Sequence, residues 1–185
     1  KWIIGVGLDS KELGNPPEKF ANVFKRARNE GFLAVAHAGE EGPAEYVWSS
    51  IKLLKVSRID HGYHILDDDR LSLKVSQERI PLTACPLSAL KLNHIVPLSS
   101  FPIRNMMERG LVPTVNSDDP AYFGGYINEN YMALVAELGL TLDEIVILAK
   151  NSVFASFIGY EKKRDLYEEI DTALMELIEN ERRVS

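Results

Sequence analysis

Two of the four histidines in this sequence, His37 and His61, stand at the ends of short apolar runs, and an Asp118-Asp119 pair stands at the end of another. Imidazole combined with carboxylate is a donor set that suits zinc or another borderline divalent ion. Such an ion lowers the pKa of a bound water to near neutrality and so generates hydroxide. His37 and Asp118 are the candidate metal ligands. A catalytic zinc takes about three protein ligands plus a water, so these two are too few by themselves. Glu40 stands three residues beyond His37, close to the metal yet free to carry a proton. His61 is placed to orient or deprotonate the attacking water. A metal, a separate acid and a base together suggest addition of water to a carbonyl or a C=N bond.

Taken singly, each of these residues has a plainer reading. A histidine after a strand is often a core residue bonded to a carbonyl, and Asp118-Asp119-Pro120 is a usual turn or helix cap. Their coincidence at successive strand ends carries the argument. The remaining polar residues look structural. His64 is read as loop surface, and His94, in Lys91-Leu92-Asn93-His94, as a loop residue without a catalytic role. Cys85 reads as a small buried apolar residue rather than a nucleophile. Asp67-Asp68-Asp69 marks a helix start, where negative charge is favoured. Tyr122-Phe123-Gly124-Gly125 reads as a flexible loop beside the site.

Five apolar runs of strand size must position these groups: Trp2–Leu8, Leu33–Ala38, Ser57–Ile59, Ile80–Cys85 and Leu111–Val115. They are short, rich in Val, Ile and Leu, and do not alternate cleanly, as in strands buried on both faces. Helical stripes lie between them. Phe20, Val23, Phe24 and Ala27 follow Asn15-Pro16 as cap and first-turn proline, and Gly31 stops the helix. Val47, Ile51 and Leu54 form a second stripe, Leu71 and Val75 a third, and Phe101, Ile103, Met106 and Met107 a fourth closed by Gly110. The order βαβαβαβαβ argues for a parallel sheet with crossover helices. Only helices follow: a stripe from Ile127 to Leu138, a capping box at Thr141-Leu142-Asp143-Glu144, and a last helix through Leu166, Ile170, Leu174 and Ile178. Five strands are too few to close a (β/α)8 barrel of about 250 residues. The chain is therefore either a complete open α/β sheet or the later part of a barrel. In both, chemistry gathers at the carboxyl ends of the strands.

Composition removes several other classes. The chain has 185 residues, 45% hydrophobic and 26% charged, with one cysteine and a net charge of −6. One cysteine excludes a disulfide framework and multi-cysteine zinc modules. The acidic balance shows no footprint for nucleic acid. No apolar run is long enough to span a bilayer, and the expected setting is the cytoplasm. The opening Lys1-Trp2-Ile3-Ile4 carries no signal peptide and reads as the interior of a longer sequence.

The set His37-Ala38-Gly39-Glu40, Asp60-His61-Gly62-Tyr63, Cys85-Pro86-Leu87-Ser88 and Ser117-Asp118-Asp119-Pro120 resembles the adenosine and adenine deaminases of the metal-dependent hydrolase superfamily. The resemblance runs from Gly5 to about Asp171. It implies a (β/α)8 barrel of which residues 1–185 form the C-terminal part of one domain: strands four to eight and the terminal helices, with the first strands absent. It implies one Zn2+ per complete site, with His37 and Asp118 as ligands. Glu40 would protonate the purine at N1 as water adds at C6, His61 would activate that water, and Asp119 would bind N7. Ser88 falls in the Cys85-Pro86-Leu87-Ser88 motif and is expected at the substrate. The family's first strand carries a His-x-His pair. No two histidines here are two apart, so two further His ligands are expected from a missing N-terminal half, and this piece alone is expected to be inactive. An exposed barrel edge would invite association into oligomers.

After strand four adenosine deaminases carry Asp-Leu-Ala-Gly-x-Glu, whereas this chain has Leu8-Asp9-Ser10-Lys11-Glu12, closer to the adenine deaminases. A carboxylate such as Glu12 could accept the N9–H of a free base and would crowd a ribose. Adenine is thus favoured over adenosine. A TatD-like metal phosphodiesterase would need cationic groups for phosphate, and none adjoins these motifs. A non-catalytic half-barrel binding module is the remaining alternative.

Overall fold

The computed structural model describes residues 2–184, the side chain of Val184 excepted. Five strands form one parallel sheet in the order β1-β2-β3-β4-β5: β1 Gly5–Leu8, β2 Leu33–His37, β3 Arg58–Asp60, β4 Pro81–Ala84 and β5 Val112–Val115. Helices connect them. A 3-10 turn at Pro17–Phe20 leads into α1 Ala21–Asn29, and α2 Ala44–Ser49 runs on through a π-helical turn at Ser50–Leu54. Then come α3 Asp69–Gln77, α4 Pro86–Lys91 and α5 Ile103–Glu108. After β5 follow α6 Pro120–Phe123, α7 Ile127–Leu138, α8 Leu142–Ala155 and α9 Tyr160–Val184.

The core lies between the sheet and these helices. Ala34, Ala36, Ile59, Leu82 and Ala84 supply the strand side, and Phe24, Val47, Leu54, Leu71, Val75, Ile103 and Met106 the helix side. The small alanines on β2 let the helices approach closely, and the branched residues fill the space between. Helix ends use local devices. Asp68 accepts from the amides of Arg70 at 2.8 Å and Leu71 at 3.1 Å to start α3. The Thr141–Glu144 box is closed in both directions, at 2.8 and 3.3 Å.

Three expectations change. The first run pairs only from Gly5, and Trp2, Ile3 and Ile4 stay exposed. Residues 120–123 form a short helix rather than a loop, because Pro120 sets the first turn and Gly124, at φ 77°, ends it. The strands are not buried on both faces except in β5. In β2 the alanines are buried while Leu33, Val35 and His37 are half-buried, and in β3 Arg58 and Asp60 flank the buried Ile59. This second face is the one that carries polar groups toward the strand ends.

Candidate active site

Strand register sets the site. His37, Asp60, Thr83 and Thr114 form one row across β2 to β5. The Thr83 hydroxyl donates to Asp60 at 2.7 Å and fixes the middle of that row. Just past it the chain turns sharply, with His61 at φ 65° and Asp118 at φ 55°. Both lie in the left-handed region, which costs a residue with a Cβ about 1–2 kcal/mol. The turn at His61 is held by its own N–H on the Thr83 carbonyl at 3.0 Å.

These turns bring the predicted residues together. The His37 and His61 rings meet edge to face with centroids 4.6 Å apart. Glu40 Oε2 lies 3.5 Å from His61 Nε2. Ligand atoms of His37, Glu40 and His61 lie within 4.8 Å of one another, and so do those of His61, Cys85 and Asp118. His37, His61, Cys85, Asn116 and Asp118 line one cleft of about 400 Å³. The donor set fits a divalent cation. Two imidazoles and two carboxylates, Asp60 and Asp118, border the cleft, Glu40 stands beside them, and His61 Nδ1 is buried without a hydrogen-bond partner among the described residues.

The electrostatics separate an acid from a base. Burial, with the charges of Glu12, Asp118 and Glu41 adding to it, pushes the Glu40 carboxyl up to about 8. Burial, then His37 and His94, pushes His61 down to about 3. Near neutral pH Glu40 therefore carries a proton and His61 has a free lone pair. Pairs of groups whose environments drive them apart in this way are the usual mark of acid and base assignments. Burial, with Asp118, Glu40 and Asp60 nearby, pushes the Cys85 thiol up, so it is no thiolate nucleophile.

Two expected substrate contacts are placed differently. Glu12 is buried, and its carboxylate accepts the backbone N–H groups of Gly39 at 2.9 Å, Glu40 at 3.0 Å and Gly42 at 2.9 Å. It clasps the loop that carries Glu40, and a purine N–H would have to compete with three amides already bonded. The clasp needs glycine at two places. Gly39 stands at φ 79°, and a Cβ on Gly42 would come within 2.5 Å of Glu12 Oε2. Ser88 is fully buried, and its hydroxyl donates to Asp118 Oδ2 at 2.6 Å. It orients Asp118 and has no open face for a substrate. Asp119 is exposed at the head of α6, beside a hollow lined by Pro120, Tyr122 and Phe123.

Two residues outside the predicted set also touch the site. Tyr63 is buried, and its hydroxyl accepts the Cys85 N–H at 3.0 Å, tying the end of β3 to the start of α4. Replacing it with Phe leaves that amide without an acceptor, and denaturant unfolding should show a loss of about 1–3 kcal/mol. A loss under a few tenths would mean that the amide finds water. His94, the loop residue, reaches Glu40, with Nδ1 3.3 Å from Oε1. No local pattern marks His94, which is 54 residues from Glu40 in the sequence.

The family profile described as Adenosine deaminase matches residues 1–173. This chain belongs to the adenosine deaminase family. It is 55% identical over 169 residues to the adenine deaminase of Acinetobacter baylyi, covering 91% of this chain and 51% of that protein. It is 57% identical over 156 residues to the adenine deaminase of Pseudomonas putida, covering 84% and 50%. The solved adenine deaminase of Arthrobacter aurescens superposes with a TM-score of 0.92 at 43% identity, over 94% of this chain and 53% of that one. An amidohydrolase from Burkhoderia ambifaria, solved with bound Zn, gives 0.86 at 29% identity, over 95% and 50%. The five βα units are thus part of a (β/α)8 barrel, and the chain spans about half the length of the curated relatives it matches.

Proposed function

We propose that the protein carrying this chain hydrolyses a 6-aminopurine, converting adenine to hypoxanthine and ammonia. The observation that carries this is Glu40 and His61 buried 3.5 Å apart beside the His37–Asp118 cleft, where burial pushes the carboxyl up and the imidazole down. The printed names of the relatives, adenine deaminases, favour the free base. On this reading residues 1–185 are the C-terminal part of a single barrel domain, and polypeptide outside this chain supplies the remaining strands and two histidines. His37 and Asp118 would hold a zinc ion with that pair. When bound, the metal supplies a water acidic enough to lose a proton near neutral pH.

The chain's own residues then have distinct tasks. Glu40 gives its proton to N1, which makes C6 electrophilic. His61 takes a proton from the water as its oxygen bonds to C6. His61 returns that proton to the 6-amino group, the C–N bond breaks, and ammonia leaves. The second proton of the water restores Glu40, so atoms and charge balance. Asp119 binds N7, and Ser88 keeps Asp118 aimed at the cleft.

Incubating the intact, zinc-replete protein with adenine should release ammonia and hypoxanthine, faster than it releases ammonia from adenosine. Faster turnover of adenosine would overturn the choice of base. No ammonia from either would overturn the reaction.

A further inference from the structure

The geometry points to His94 as a positioning residue that fixes which oxygen of Glu40 presents the proton. The inference rests on Glu40 being the acid. A carboxylic acid has two oxygens and one proton, and only a proton on the oxygen facing the substrate can be delivered. Glu40 Oε2 lies 3.5 Å from His61 Nε2, on the side of the residues that border the cleft. Oε1 lies on the His94 side, with Nδ1 3.3 Å from it. Both Oε1 and Nδ1 are closed off from water, and neither has a hydrogen-bond partner among the described residues. Buried polar atoms seldom go unpaired, so two that face each other at this distance are each other's natural partners. A small turn of the ring that aligns an Nδ1 hydrogen with Oε1 makes His94 the donor, and leaves the transferable proton on Oε2.

The ring is held for this task. The amides of His94 and Ile95 both donate to the Ala89 carbonyl, at 2.9 and 3.2 Å, and Ile95 packs on the core. The other ring nitrogen, Nε2, lies 4.0 Å from Glu41 Oε1. The same helix, α4, carries Ser88 with its bond to Asp118. One short helix and its exit loop thus steady both the acid and the carboxylate across the cleft.

The test is a double-mutant cycle in the intact enzyme, with kcat and KM for adenine, zinc content and Tm measured for each variant. His94→Leu removes the donor. It should lower kcat about 10–100-fold, the range found when a hydrogen-bond partner that orients a metal ligand is lost, with KM and zinc content held within about two-fold. His94→Asn offers an amide N–H near the place of Nδ1 and should recover most of kcat. In a Glu40→Gln background His94→Leu should cost nothing further, because the two act through one group. An unimpaired His94→Leu, an Asn variant as poor as Leu, or additive losses would overturn the role of His94 while leaving Glu40 as the acid. A fully active Glu40→Gln would overturn both readings together.

Discussion

Replacing Glu40 with glutamine should slow turnover by about 10²–10⁴-fold and at the same time make the protein more stable at alkaline pH. The activity arm follows from the proton: glutamine has none to give, and a general acid is worth about 10²–10⁴ in rate. The stability arm follows from burial. Unfolded, the carboxyl titrates near 4.5, and folded it is pushed up to about 8. Between these values the folded state keeps a proton that the unfolded state has lost, so stability is full below 4.5 and drains away as pH rises toward 8. At 1.36 kcal/mol per unit, the drain is at most about 5 kcal/mol, and about 2–5 once local relaxation is allowed. Glutamine does not titrate and escapes the loss. In the metal-free protein, Tm of the two should coincide near pH 4 and separate by roughly 5–15 °C at pH 8.5. His61 pulls the other way, losing stability as pH falls below 6.5, but it is present in both proteins and cancels in the difference. Parallel curves across this range would show that Glu40 is not desolvated as described.

Replacing Glu12 with glutamine should damage both stability and rate. The carboxylate accepts from three amides, with Oε2 taking Gly39 and Gly42 and Oε1 taking Glu40. A glutamine carbonyl can replace one oxygen, which puts its NH2 against an amide N–H, donor facing donor. Bonds to a charged acceptor are worth about 1.5–3 kcal/mol each, and an orphaned buried donor costs about 1–3 more, so a loss of roughly 2–4 kcal/mol is expected. The loop that moves carries Glu40, and a shift of about 1 Å in a reacting group can cost on the order of 100-fold in kcat. Removing the charge also takes away one of the influences that hold Glu40 protonated. Urea unfolding and ammonia release measure the two arms. If the substitution instead left stability intact and altered only the preference between adenine and adenosine, Glu12 would be a substrate contact and not a clasp.

These two glutamates show which kinds of information sequence spacing carries. Glu40 stands three residues past His37, the last residue of β2, so acid and imidazole come together in the sequence, and the strand end that bears them is marked by its apolar run. The clasp at Glu12 joins residues 27 to 30 positions apart, and the contact of His94 with Glu40 spans 54. Such pairings are set by which strands lie side by side and by where α4 and its exit loop come to rest, and no local period records them. Ser88 is an intermediate case. Its motif was legible, but its partner was not, because a hydroxyl three residues past Cys85 points wherever α4 turns it. No apolar stripe marks α4, because its six residues make less than two turns and open on a proline after a strand. The two faces of the sheet are not told apart by hydrophobicity for a related reason. Val35, beside His37, is as apolar as a core residue, yet it lies on the half-buried side.

The left-handed backbone at His61 and Asp118 bears on how this site can be interrogated. Alanine substitution is the ordinary way to ask what a side chain contributes. At these two positions it would remove the side chain but keep the crowded Cβ, and histidine and aspartate tolerate that conformation better than most residues. An alanine variant would therefore report a chemical loss and a conformational penalty in one number. Glycine relieves the backbone, and asparagine is at home in it while lacking the imidazole or the charge. Comparing those two with alanine separates the cost of bending the chain from the worth of the group it presents, and a mutagenesis library at 61 or 118 is better drawn from that narrow alphabet than from all twenty residues.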